Sequence, residues 1–154
     1  MAIEKVKQYF KKLGIDNRIQ EFDVSSATVE LAAKALGCEP NNIAKSLSFM
    51  VEDKPIIIVT AGNMKIDNAK FKNEFHTKAK MLKFDEVEFL IGHQVGGVCP
   101  FAIKEDVQVY LDSSLKEYEF VYPACGSSNS AIKLTVDELA EYSNFKKWID
   151  VCKN

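Results

Sequence analysis

The sequence predicts an α+β fold built on a mixed, largely antiparallel sheet, and three observations carry that expectation. Apolar residues recur at helical spacing near both ends of the chain. Two strand-like segments, residues 44–51 and 56–61, lie close enough to form a hairpin. The other short strand-like stretches interleave irregularly with helical ones, unlike a regular series of βαβ units.

Taken in order, Ile3, Val6, Phe10 and Leu13 share one helical face over residues 2–13, and Gly14 closes that helix. Residues 18–23 read as a short strand with Ile19 and Phe22 apolar. Ser26 or Thr28 is placed to cap a second helix with Val29, Leu31, Ala32, Ala35 and Leu36 apolar, ended by Gly37. The hairpin follows, with residues 52–55 as a four-residue loop. Its second strand, Ile56-Ile57-Ile58-Val59, is apolar on both faces and is expected at the sheet centre. Asp67 caps a third helix running to Phe75, and Asp85 with Glu88 gives a box-like start to a short helix ending at Gly92. Residues 107–111, 119–122 and 131–134 read as strands, and Thr135 with Glu138 caps a last helix toward Trp148. No repeat, low-complexity segment or linker interrupts residues 1–154, so they are read as a single domain.

The composition, 47% apolar and 27% charged, is that of a globular protein. No run approaches the ~20 apolar residues that cross a bilayer, and the N-terminus has charge where a secretory signal is greasy. A cytoplasmic protein with no membrane association is expected. The cysteines (38, 99, 125, 152) lie far apart with no histidine beside them, which argues against zinc and disulfides, so neither metal nor cofactor is expected. Each cysteine reads first as a small hydrophobe, although Cys99 and Cys125 lie beside Pro or Gly in loop-like sequence.

A net charge of −2 marks no general nucleic-acid binder. Locally, Lys65, Lys70, Lys72, Lys78, Lys80 and Lys83 face only Asp67 and Glu74, a balance of +4. That run is either a solvated surface or a set of phosphate contacts.

Three stretches bear on chemistry. Gly92-His-Gln-Val-Gly-Gly-Val-Cys-Pro-Phe101 has three glycines and a proline but no charge, so it is either a tight connection or a place where bare amides meet a ligand. Along residues 44–51, Lys45 begins the row of Leu47, Phe49 and Val51, while Ala44, Ser46, Ser48 and Met50 share the other face. Lys45 either snorkels off the sheet edge or points into a cavity, and period-2 geometry alone does not choose. Ala124-Cys-Gly-Ser-Ser-Asn-Ser130 either makes turns with its own backbone or offers hydroxyl and amide groups to a ligand. No nucleophile-elbow motif or Ser/His/Asp pattern accompanies these serines.

Leu36-Gly-Cys-Glu-Pro-Asn-Asn-Ile-Ala-Lys45-Ser-Leu, the glycine-rich decapeptide, and Gly126 through Leu134, in that order, resemble the YbaK/prolyl-tRNA-synthetase-associated editing domain. The resemblance runs essentially from the first helix to the last. It implies a curved, barrel-like sheet with helices outside, and a stand-alone deacylase that hydrolyses a wrongly attached amino acid, of Cys-tRNA or Ala-tRNA type, from the tRNA 3′ end. A synthetase is the implied companion.

On this resemblance Lys45 is the functional pocket lysine, and Gly96 and Gly97 present backbone to the terminal adenosine and ester. Phe22, Thr28, Ser46, Gly92, Cys99, Pro100, Asp112, Gly126, Ser127, Ser128 and Asn129 fall on or beside substrate-binding positions. Lys65, Lys70, Lys72, Lys78 and Lys80 are the expected tRNA contacts. Two departures leave the amino acid removed unassigned: Cys99 stands where relatives have serine, and Ser127-Ser128-Asn129 replaces a more basic stretch. With no general base evident, the implied mechanism is positioning and polarisation by the Gly96 and Gly97 amides and the Lys45 charge, a water or substrate group attacking. Cys99 as a covalent nucleophile is the rival mechanism. A non-catalytic binder of aminoacyl-tRNA or nucleotide is the alternative function, and a hydrolase of other esters a third.

Overall fold

The hairpin at positions 43–61 frames the molecule, which a computed structural model describes over residues 2–154. Five α-helices are present among the described residues: α1 (Ala2–Lys12), α2 (Val29–Leu36), α3 (Asn68–Phe75), α4 (Phe84–Ile91) and α5 (Val136–Ser143). The early strands are β1 (Ile19–Glu21), β2 (Ile43–Val51), β3 (Lys54–Ala61) and β4 (Lys65–Ile66). The later ones are β5 (Gln108–Asp112), β6 (Phe120–Pro123), β7 (Ser130–Ile132), β8 (Leu134–Thr135), β9 (Lys147–Ile149) and β10 (Cys152–Lys153).

Six strands form the main sheet in the order β8-β6-β2-β3-β5-β9, curled into an open half-barrel, and the pairs β1-β7 and β4-β10 stand beside it. The sheet is mixed, as the sequence suggests. Its antiparallel share is smaller than expected, because three of its five junctions (β2-β6, β3-β5, β5-β9) are parallel. Connections long enough to carry the chain back to the same end, which parallel pairing requires, precede β5, β6 and β9.

β2 pairs with β3 from Ala44 to Val51, with Lys45 opposite Thr60. The turn is only Glu52-Asp53, both left-handed (φ 50° and 66°), which is the backbone of a type I′ hairpin. Pro55 therefore lies inside the ladder opposite Met50, and the expected four-residue loop shrinks to two. β3 is central, and its isoleucines serve two cores. Ile57 and Val59 join Phe10, Leu111 and Leu139 on one face, whereas Ile56 and Ile58 join Phe49, Phe71 and Val151 on the other.

Thr28 caps α2 by accepting the Leu31 N–H at 3.2 Å, and Asp67 caps α3 by accepting those of Ala69 and Lys70 at 2.9 and 3.1 Å. Four local expectations change. Leu13 and Leu31 face outward, 40% and 43% exposed, and α2 instead buries Ala32 and Ala33. α4 begins after Lys83, whose N–H donates to Glu86 Oε1 at 2.8 Å, so Glu86 takes the part expected of Glu88. α5 stops at Asn144, left-handed with φ 52°, and Trp148 lies in β9.

β2 is incompletely covered on its β6 side. Pairing with β6 stops at Ala44, and the next contact on that edge is the bridge of Phe49 to Met81, flanked by Leu82 N–H to Ser48 O at 3.1 Å. Between them, residues 45–47 have no strand neighbour on that side among the described residues.

Candidate functional site

A cleft of about 370 Å³ opens at this uncovered stretch of β2. Lys45, Ser46, Leu47 and Ser48 line it from the strand, and Ser26, Ala27, Thr28 and Val29 from the lead into α2. Gly96 and Val98 supply a third side; the exposed Met81 and Phe84 form part of the mouth, and buried Val87 and Ser130 and Ala131 of β7 also contribute.

Lys45 is half-buried, and its Nζ donates to the Met64 carbonyl at 2.7 Å. Burial pulls its pKa below 10.5, since a desolvated ammonium is disfavoured; Lys65 adds to this, and Glu30 opposes it. The ammonium still has two further protons to donate. Next to it, the Oγ of Ser46 is buried with no hydrogen-bond partner among the described residues. An unsatisfied buried hydroxyl costs ~1–3 kcal/mol.

The glycine turn is divided between the cleft and the scaffold. Gly97 N–H donates to Gln94 O at 3.0 Å, closing a turn whose third residue, Gly96, has φ 94°. That conformation at that turn position favours glycine. Gly96 lines the cleft; Gly97 does not. A Cβ on Gly97 would lie 2.6 Å from Ser127 N, and Gly97 O accepts the Gly126 N–H at 3.0 Å. Gly97 therefore clasps two loops, and its amide is already committed.

Among the other expected site residues, Thr28 and Ser46 line the cleft with Lys45 and Gly96. Phe22, Gly92, Cys99, Pro100, Asp112, Gly126, Ser127, Ser128 and Asn129 do not. Gly92 ends α4 at φ 107°, and buried Gly126 packs against the start of α1. Residues 127–129 fasten the segment before α2: Ser26 N–H donates to Ser128 O at 2.7 Å, Phe22 N–H to Asn129 O at 2.8 Å, and Asn129 Nδ2 to Phe22 O at 2.9 Å. They position a cleft wall without being part of it. Ser127 Oγ is engaged with Ser130 Oγ and Asn129 Oδ1.

Cys99 is fully buried beside the buried Pro100, and desolvation pushes its thiol up to about 12. His93 lies 3.4 Å away, but its Nε2 is 2.7 Å from Phe101 O, and a carbonyl can only accept. Nε2 therefore carries the proton and cannot take one from sulfur, while burial lowers the imidazole pKa. Both the buried thiol and the protonated Nε2 argue against Cys99 as a nucleophile. The sequence shows no signal for this arrangement, because only the folded loop brings His93 to Phe101.

Asp112 also serves structure. Buried at the end of β5, it accepts Val151 N–H and Ser114 N–H, at 2.9 and 3.0 Å, and borders a different hollow. Of the lysines, Lys70 is occupied by Asp150 at 3.1 Å and Cys152 O at 2.9 Å. Lys65, Lys72, Lys78, Lys80 and Lys83 are exposed with no salt bridge among the described residues. No group of three or more His, Cys, Asp or Glu side chains is arranged to hold a metal among the described residues, and no helix there is long and apolar enough to cross a membrane.

A half-barrel with a cleft at its open strand edge defines the class that comparison bears out. The family model of the aminoacyl-tRNA editing domain matches residues 23–142. The Bacillus subtilis uncharacterized protein YwhH is 52% identical over 100% of this chain and 99% of its own length. An Enterococcus faecalis protein named as a candidate Cys-tRNA(Pro)/Cys-tRNA(Cys) deacylase, EbsC, is 28% identical over 76% of this chain and 73% of its own. The crystal structure of a candidate trans-editing enzyme for prolyl-tRNA synthetase superposes with a TM-score of 0.88 at 25% identity, covering 99% of this chain and 98% of the other. Against proline--tRNA ligases such as that of Shouchella clausii, 31% identical over 67% of this chain, the match spans only 18% of the relative. The chain belongs to the aminoacyl-tRNA editing domain family.

Proposed function

We propose that this protein is a stand-alone, trans-acting deacylase that hydrolyses the ester of a mischarged aminoacyl-tRNA of the Cys-tRNA or Ala-tRNA type. The observation that carries the reading is the meeting of Lys45, the orphan Ser46 hydroxyl, the turn at Gly96 and an uncovered strand edge around one cleft. Alanine, serine and glycine side chains contribute much of its lining (Ala27, Ala32, Ala44, Ala131, Ser48, Gly96), which suits a small amino acid. Water adds to the ester carbonyl, and the bond from that carbon to the ribose oxygen breaks. Free amino acid and a tRNA with a free terminal hydroxyl result. Lys45 holds and polarises the substrate by charge, Ser46 bonds it, and the backbone at Gly96 orients the terminal ribose or the developing oxyanion. Gly97 supports the turn. The exposed Lys72, Lys78 and Lys80 meet tRNA phosphates, and a synthetase is the source of the mischarged substrate.

A panel of mischarged tRNAs incubated with wild type and with Lys45→Ala tests the proposal. Hydrolysis of one of them, lost in Lys45→Ala with an unchanged fold, supports it. Binding without hydrolysis of any member replaces it with a non-catalytic binding module, and equal hydrolysis of amino-acid esters lacking the tRNA body makes the protein a general esterase.

A further inference from the structure

The mouth of the cleft carries a feature that ester hydrolysis does not use. Phe84, the first residue of α4, is 81% exposed, and Met81 and Val95, 56% and 47% exposed, also border the cleft. An aromatic ring left in water costs hydration free energy that burial elsewhere would recover. The ring's continuity with the site points to an occupant reaching the cleft from outside.

The charges nearby narrow the chemistry of that occupant. Lys78, Lys80 and Lys83 flank Met81 and Phe84 in the sequence, all exposed and without salt bridges among the described residues. Asp85 and Glu88 are exposed on α4 itself, so an anionic backbone is favoured on the 78–83 side of the ring and not along the helix. Exposed aromatic faces beside a line of cations are how proteins hold single-stranded nucleic acid: rings stack bases and ammonium groups meet phosphates. An apolar protein partner would gain nothing from three free lysines at its margin.

We infer that Met81, Phe84 and the 78–83 lysines form a platform for the unpaired nucleotides just before the terminal adenosine, with the Phe84 ring stacking on one of their bases. This rests on the deacylase reading for the identity of the nucleic acid. Phe84 is a substrate-positioning residue: it feeds the 3′ end into the cleft and leaves the ester to Lys45 and Gly96.

Fluorescence anisotropy with the full-length protein and a labelled single-stranded RNA ending in CCA tests it without requiring turnover. Phe84→Ala and Phe84→Leu are expected to weaken binding roughly 5- to 150-fold, while Phe84→Tyr, which keeps the π face, stays within about twofold. Removing the bases of the two nucleotides before the terminal adenosine is expected to erase the difference between wild type and Phe84→Ala. Circular dichroism should report an unchanged fold, since the side chain is so exposed. Full binding by Phe84→Leu, equal binding by all variants, or no binding by wild type overturns the inference. So does a Phe84→Ala protein that loses self-association in sedimentation yet binds RNA normally, which makes this face a contact between copies. Ring-dependent RNA binding without hydrolysis of any mischarged tRNA would sink the deacylase reading and leave the platform standing.

Discussion

Two hollows of comparable size lie in this molecule and differ in what their polar groups do. The larger, about 490 Å³, is bordered by Asp112, Ser114, Lys70 and Asp150; the smaller, about 370 Å³, is the cleft at β2. In the larger one the demands cancel: both Asp112 oxygens accept backbone N–H groups, and Lys70 is held by Asp150 and the Cys152 carbonyl. In the smaller, among the described residues, Ser46 Oγ has no partner and residues 45–47 lack a strand neighbour on one side, and Lys45 has donors to spare. Hydrogen-bonding capacity left over, more than volume or polarity, separates a binding site from a structural knot.

The largest test of that contrast is Lys45→Ala, which is expected to lower kcat/KM for the hydrolysed tRNA about 100- to 1000-fold in single-turnover assays. The melting temperature should change little, because the residue is half-buried and makes one hydrogen bond. Asp112→Ala is expected to do the reverse. The buried Val151 N–H and the part-buried Ser114 N–H lose their acceptor, for ~2–4 kcal/mol less stability in urea titration, with kcat/KM per folded molecule retained.

Gly97→Ala comes next. Its Cβ would meet Ser127 N at 2.6 Å, so the two loops must part; ~1–3 kcal/mol of stability and part of the activity should go together. Neutralising Lys78 and Lys80 to glutamine is expected to flatten the salt dependence of tRNA affinity by about one to two in the log–log slope. The smallest effect belongs to Cys99→Ser: activity within about twofold of wild type, with a thiol alkylator reaching the less buried Cys38 first.

The sequence carries the parts of this picture that depend on near neighbours. The caps at Thr28 and Asp67, the alternation along β2 and the two-faced Ile56–Val59 run are each written within a few residues. The parallel junctions of β5, β6 and β9 are not, because they join segments far apart in the chain and no local period specifies a partner. The same holds within the site. Lys45 and the glycine turn can be singled out from residue type, but the split between Gly96 and Gly97 is decided by contact with Ser127, thirty residues on. Ser127 through Asn129 have the composition of a ligand loop and serve as a clasp, since short polar side chains satisfy a neighbouring backbone as readily as a substrate. Phe84 gives no periodic signal, because its importance lies in being outside the core.

The two-residue turn at Glu52-Asp53 governs chemistry far from itself. It locks Lys45 opposite Thr60, so the direction of that ammonium is settled at the distal tip of the ribbon. Adding or deleting a single codon there could shift the ladder by one step and exchange the orientations of Lys45 and Ser46, rewiring the chemistry while every cleft residue kept its identity. A laboratory seeking new specificity in this scaffold has a dial at the tip as well as in the pocket.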